Sequence, residues 1–360
     1  MKLTMPVKLA PTPEQHVALL ATMRRFNAAC DAIAVTAFKE RCANKVVLQK
    51  LVYYDIRRDF GLSAQLTIRA ISKTVEAYKR DQRIQPRFRP EGAVPYDERI
   101  MSWKGLEHVS LLTLEGRALI ATRFGEYQAA RLDRRRGQAD LVLRNGTFFL
   151  FQTIDVPEPP TESVPDYLGV DLGVVNLAVD ADGRRYSGAA VEVVRQRHHR
   201  LRQRLQRVGT RGARKKLKRL AGREARFRHH ENHCISKALV TTAKDTARGL
   251  ALENLEGIRV RTRFRRGQRA KMSGWAFGQL RAFVGYKAAL AAVPFVIVDP
   301  RNTSRICSRC GHCEKGNRKN QAEFRCLHCA SSLHADVNAA RNIGLRAACK
   351  PAPELARLAA

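Results

Sequence analysis

A chain of 360 residues is longer than one hydrophobic core usually serves, so two or more domains are expected, and a 44% hydrophobic fraction suffices to build them. Its 66 Lys and Arg against 33 Asp and Glu leave a formal charge of +33, which calls for a polyanionic partner. No long apolar span occurs and Met1 to Gln15 carries no charged-then-apolar leader, which disfavours a membrane and leaves nucleic acid.

The chain opens with a strand-like segment, Lys2 to Leu9. Thr12-Pro13-Glu14-Gln15 then supplies an N-cap, a proline at the first helical position and a capping-box glutamine, so a helix starts there. Val17, Leu20, Met23 and Phe26 follow at helical spacing, and further helical patterns run through Leu48 to Phe60 and Ala64 to Tyr78. Pro86, Pro90 and Pro95 end this helical block, and Val109 to Phe124 and Ala139 to Ile154 alternate as strands do. Pro157, Pro159, Pro160 and Pro165 mark a linker, with a domain boundary near Val164.

Beyond the linker, Tyr167 to Leu172 reads as a buried strand, and Asn176 to Asp180 with Arg184 to Ser187 as a hairpin through Ala181-Asp182-Gly183. Between Arg195 and Arg228 lie fifteen Lys or Arg and one acid, Glu224, interrupted by a Gly209 to Gly212 turn: helix, turn, helix. A second run, Arg259 to Lys271, has seven basic residues and no acid. Such runs can be solvated helix faces or disordered arms. At this density, phosphates relieve the mutual repulsion and counterion release adds affinity that falls with salt. Trp275 and Phe277 could stack on a base, but their spacing with Leu280 and Phe283 favours core packing.

Nine cysteines, an odd number with several in tight pairs, argue for reduced thiols and metal binding in a cytosolic or nucleoid-associated protein. Cys307-x2-Cys310, fifteen residues, then Cys326-x2-Cys329 presents four thiolates from two knuckles to one structural zinc; His312, Cys313 and His328 are further donors in the same stretch. Three acids flank this segment: Asp171, Glu253 and Asp336. Singly, Asp171 could shape a turn, Glu253 end a strand and Asp336 cap a helix. Two of them sit in apolar strands, where an unpaired carboxylate is costly and a cation makes the placement favourable. Three carboxylates can hold two magnesium or manganese ions, which at roughly 4 Å apart serve phosphodiester hydrolysis.

Gly-Val-Asp-Leu-Gly-Val at 169–174, Leu-Glu-Asn-Leu at 252–255, Thr303-Ser304 leading into the cysteines, and Ala-Asp-x-Asn-Ala-Ala-Arg-Asn-Ile at 335–343 together resemble the TnpB family, relatives of the type V CRISPR effectors. Thr12 to Gln15 and Pro86-Arg87-Phe88-Arg89 are more loosely similar to family patterns. The resemblance implies a multidomain α+β and α/β chain. In it an oligonucleotide-binding wedge barrel (1–10 and 96–164) holds an inserted helical recognition domain (11–95). A RuvC-like nuclease domain of RNase H-like fold follows (165–300 and 331–347, with a basic insertion at 190–245), then a zinc ribbon (301–330) and a tail without fixed order (348–360). It places Asp171, Glu253 and Asp336 on the catalytic triad and Cys307, Cys310, Cys326 and Cys329 on the zinc ligands. The implied activity is RNA-guided cleavage of double-stranded DNA, beside a short transposon-adjacent motif, with guide RNA from the transposon end. Three rival readings share these motifs: an RNA-guided repressor that does not cut, a transposase with an acidic triad, and a small CRISPR effector.

Overall fold

In β1 (Lys2–Ala10), exposed and buried residues alternate so that Met5, Val7 and Leu9 face inward. The structure, a computed structural model, describes residues 1–161, 163–255, 277–320 and 322–349. The run Arg259 to Lys271, Trp275 and the tail after Cys349 lie outside them. Thr12 and Gln15 close the expected capping box at the start of α1 (Pro13–Lys39). The next helix, α2 (Lys45–Phe60), begins three residues before Leu48, because the Asn44 side chain accepts from the Val46 and Val47 amides. Gly61 ends it in the left-handed conformation, and Ser63 caps α3 (Ala64–Arg80).

Six more strands complete a sheet with β1: β2 (Val94–Tyr96), β3 (Met101–Lys104), β4 (His108–Thr113), β5 (Gly116–Arg123), β6 (Arg135–Arg144) and β7 (Thr147–Asp155), with a short α4 (Glu126–Leu132) before β6. Each long strand-like stretch is in fact half or all of a hairpin. The turn between β6 and β7 is Asn145-Gly146 with both residues at positive φ, the two-residue loop whose twist suits paired strands. The order is β2-β6-β7-β1-β5-β4-β3, antiparallel throughout. Tyr96 on one edge strand donates its hydroxyl to the Leu112 carbonyl on β4, so the sheet curls into a nearly closed barrel. One core joins its interior (Leu9, Tyr96, Leu111, Leu150) to α1, α2 and α3 (Phe26, Ile33, Val52, Ile71).

This unit, Met1–Pro157, is followed by a second, Glu158–Ala360. Its elements are β8 (Tyr167–Asp171), β9 (Asn176–Asp180), β10 (Arg185–Ser187), α5 (Ala189–Val208), α6 (Arg211–Asp245), β11 (Gly249–Glu253), α7 (Phe277–Leu290), β12 (Phe295–Val298), β13 (Glu323–Arg325), β14 (Ser332–His334) and α8 (Ala335–Ala348). The central sheet runs β10-β9-β8-β11-β12, with β8, β11 and β12 parallel. Leu168, Val170, Leu250 and Leu252 pack against α6 and α7 on one face; Phe277 joins that core. Tyr167, Ala251, Val296 and Val298 pack on the other face, with Ile343 and Ala347 of α8. A Cβ at Gly169 would overlap the Ala340 carbonyl, so glycine there lets α8 lie directly on β8.

The basic stretch forms the helical pair α5 and α6, reversing at Gly209 in the left-handed conformation with Thr210 capping α6. Its single acid is a brace: Glu224 accepts from Arg202 at 2.6 Å and lies 3.7 Å from His198 across the pair.

Candidate active site

Side chains along a strand alternate faces, and that parity collects the acids. In β8, Tyr167, Gly169 and Asp171 share the α8 face; in β11, Ala251 and Glu253 do. Gly249 pairs with Tyr167 and Leu252 with Val170, so Glu253 and Asp171 end neighbouring parallel strands side by side. Asp336 comes from the first turn of α8, whose N-cap is His334. All three sequence-predicted acids therefore meet at one end of the sheet.

Their electrostatics are those of a site short of positive charge. Burial, then repulsion from Glu253 and Asp336, pushes the Asp171 carboxyl up to about 8, with Arg318 and the Leu172 amide partly offsetting this. Glu253, 8% exposed, is also raised by burial, against the Thr303 hydroxyl that donates to it and the nearby Arg346 and Arg318. Asp336 accepts from Asn176 Nδ2 at 3.1 Å and lies 3.6 Å from the Arg318 guanidinium. Clustered oxygen donors with this deficit suit a hard divalent cation.

Next to the acids, four sulfurs converge. Those of Cys307, Cys310, Cys326 and Cys329 lie within 4.8 Å of one another, with Cys307 and Cys329 at 3.7 Å and Cys310 and Cys326 at 3.6 Å. Zinc bonds of about 2.3 Å give a tetrahedron with edges near 3.8 Å, so the donors fit zinc. Each knuckle closes alike: Cys307 N donates to His312 O and Cys326 N to Ser331 O, both at 2.9 Å. The Cys329 amide donates to the Cys326 sulfur and helps draw that thiol down. The Cys310 thiol, although the His312 amide lowers it, is held up by desolvation and its hydrogen bonds with Cys329, Cys326 and Cys307, so the four sulfurs share protons that a metal would displace. His312 and His328 instead stack on each other, and Cys313 is exposed.

Several positioning residues escaped the sequence reading. Asn342 donates to the Thr303 and Ile306 carbonyls; Asn338 donates to Ile306 O and accepts from Ser308 N. Both are buried on α8, four residues apart, and that helical spacing of two asparagines was the signal available. Arg318, one of several cations between the cysteine pairs, carried no such mark.

This fold is similar to that in a solved structure titled as the Cas12f1-sgRNA-target DNA complex (TM-score 0.62, 15% identity, 91% of this chain and 82% of that one). Residues 277–343 match the family model "Cas12f1-like, TNB domain", and residues 151–259 the OrfB_IS605 model, described as "Probable transposase". The chain is 34% identical to CRISPR-associated endodeoxyribonuclease Cas12f1 of Sulfoacidibacillus thermotolerans over 49% of its own length and 45% of the relative's. A protein of Escherichia coli K12 named "Putative RNA-guided DNA endonuclease InsQ" is 26% identical over 54% of this chain and 52% of that one. The chain thus spans about half the length of the curated relatives it matches. Parts of the chain are similar to proteins named Cas12f1 and InsQ, whose names class them with DNA endonucleases. Among the described residues no helix is long and apolar enough to cross a membrane.

Proposed function

We propose that this protein is an RNA-guided endonuclease that cuts double-stranded DNA beside a short transposon-adjacent motif, using a guide RNA from the transposon end. The observation that carries the chemistry is the convergence of Asp171, Glu253 and Asp336 at the strand ends with Asp171 raised to about 8. These three carboxylates would hold two divalent ions, Mg2+ or Mn2+, which would supply activation of the attacking water and stabilisation of the leaving oxygen. Thr303 fixes Glu253 through its hydroxyl, Asn176 orients Asp336, and Arg318 brings a cation to the edge of the cluster, where a phosphate would lie. Zinc in the four-cysteine knot is structural, because all four positions are filled by protein.

In this reading 1–10 and 96–164 form the wedge domain, 11–95 the recognition helices, and 165–300 with 331–347 a RuvC-like domain of RNase H-like fold. Residues 301–330 are its zinc ribbon, and the α5 and α6 pair grips guide or heteroduplex backbone. The protein acts in the prokaryotic cytoplasm, at the nucleoid.

The test is to purify the protein with co-expressed transposon-end RNA and measure magnesium-dependent cleavage of a matched DNA target library, wild type against Asp171→Ala. Cleavage of guide-matched DNA next to a short motif, with the variant binding but not cutting, is the expected result. Binding of matched DNA by both with cleavage by neither would make the protein an RNA-guided binder and refute the catalytic assignment.

A further inference from the structure

At the end of the central sheet away from the acids lies a cleft that neither they nor the cysteines use. Asp171 ends β8, whereas Tyr167 starts it, four residues away and roughly 13 Å at about 3.3 Å per residue. Tyr167 lines a cleft of about 680 Å3, inside the range of roughly 300–1,000 Å3 that small-molecule sites span. Three parts of the second unit wall it. The cysteine knot gives Ser308, Arg309 and Ser331, and helix α8 gives Arg341 and Leu345. The sheet gives Asp166 at the start of β8 and Asp182 from the turn between β9 and β10.

The polar groups differ in how far they are committed. Asp182 accepts from both terminal nitrogens of Arg248, so that pair is closed. Arg341 gives its Nε to the Ala181 carbonyl at 3.2 Å, and its terminal nitrogens have no hydrogen-bond partner among the described residues. The Arg309 guanidinium is exposed, and among the described residues neither it nor the hydroxyls of Ser308 and Ser331 have a partner. Guanidinium groups beside serine hydroxyls are a donor set for phosphate oxygens. On the sheet wall the exposed Asp166 accepts from the Tyr167 amide through one oxygen. A nucleic-acid strand repeats its charge at every residue and would set phosphates against Asp166 and Asp182. A nucleotide carries its charge at one end and neutral hydroxyl donors beyond it, which matches a cleft cationic on the knot wall and acidic on the sheet wall. Leu345, 54% exposed, and the half-buried Leu333 add an apolar surface to the same cleft.

We propose that this cleft binds a free nucleoside diphosphate or triphosphate. Arg309 and Arg341, with Ser308 and Ser331, take the phosphates; Leu333 and Leu345 cover a face of the base; Asp166 accepts from the ribose hydroxyls. The phosphates then bridge the knot to α8 five residues beyond Asp336, so a bound nucleotide fastens the knot to the helix that carries the third acid. The site stands apart from the endonuclease reading, since it contains none of the three acids and needs no guide.

The experiment uses the full chain, purified free of nucleic acid, at about 0.3 M salt to suppress diffuse binding of anions to so basic a protein. No divalent ion is added, so the carboxylate site cannot recruit a metal–nucleotide complex. ADP, pyrophosphate, inorganic phosphate, adenosine and a short 5′-phosphorylated DNA strand are compared by titration calorimetry, and 2-azido-ADP is photolysed on the protein and the labelled peptide mapped. The expected label falls within 331–345, ADP binds at least tenfold tighter than pyrophosphate, and adenosine does not bind measurably. Arg309→Gln and Arg341→Gln each weaken ADP about tenfold with Tm and zinc content unchanged. Asp166→Asn weakens ADP several-fold and leaves pyrophosphate as it was. Absence of ADP binding, label elsewhere, or unchanged affinity in both arginine variants would overturn the proposal, as would an Asp166→Asn variant that treats ADP and pyrophosphate alike. Pyrophosphate or phosphate as tight as ADP would reduce the cleft to an anion patch, and a DNA strand that binds more tightly and blocks the label would assign it to strand ends; either result overturns the proposal as stated.

Discussion

If the carboxylate site holds a divalent ion as proposed, Asp171 would couple its protonation, that ion and stability, with a sign fixed by the site. Its folded pKa, about 8, lies above the ordinary value of 3.8, so the folded state holds a proton that the unfolded chain has released. Without a divalent ion, the stability this contributes is fully present below about pH 4 and is lost as pH rises through about 8. At about 1.4 kcal/mol per pKa unit, the rise from 3.8 to about 8 sets an upper limit on the order of 6 kcal/mol. A cation must displace the same proton, so its apparent affinity falls about tenfold for each pH unit below 8. The assay is Mn2+ binding followed by electron paramagnetic resonance across this range, beside thermal melts with and without Mg2+. Mg2+ should raise Tm strongly near pH 8 and little near pH 5. Asp171→Asn, with no charge to neutralise, should be more stable than wild type near pH 8 in the absence of added divalent ion, and should lose the pH slope of Mn2+ binding. Flat Mn2+ affinity between about pH 6 and 8, or an unchanged slope in Asp171→Asn, would refute the reasoning.

Three further outcomes follow from the same unit. Asn342→Ala takes the donor from the buried Thr303 carbonyl and leaves Ile306 O to Asn338 alone, and thermal unfolding should show a loss of about 1–3 kcal/mol. Gly169→Ala drives a methyl into the Ala340 carbonyl and forces α8 off β8, which should cost roughly 1–3 kcal/mol or more and appear as a lower Tm with unchanged zinc content. A strong zinc chelator should expose four additional thiols to a colorimetric thiol reagent and melt the ribbon; Cys307→Ser should release the metal in the native state.

What the sequence made legible was local chemistry. Thr12 with Gln15 placed the start of α1 to the residue, and the cysteine spacing grouped the four sulfurs. The Val109 to Phe124 stretch hid its reversal because Leu114-Glu115 contains no turn-forming residue, whereas Asn145-Gly146 carried a two-residue turn signal that the reading of Ala139 to Ile154 as strand passed over. The acids were visible singly, each with an innocent explanation. The family resemblance grouped them, but the physical reason that Asp171 lies beside Glu253 on the face that α8 covers is strand parity and parallel register, which no local pattern carries. Arg318 was illegible for the opposite reason: many cations surround it in sequence, and tertiary placement alone selects the one that reaches Asp336.

That placement makes the cysteine knot and the acids one mechanical assembly. Helix α8 supplies Asp336 and, two and six residues on, Asn338 and Asn342, which grip the segment 303–308 entering the knot. That segment returns a hydroxyl from Thr303 to Glu253, while the knot's own loop sends Arg318 back to Asp336. In the proposed reading, zinc held by the four cysteines would be remote from the chemistry in role but not in linkage. Freeing the ribbon removes the constraint on Thr303 and Arg318 together, so metal loss at the cysteines should loosen Glu253 and Asp336 before it unfolds the central sheet, whose core is built from other residues.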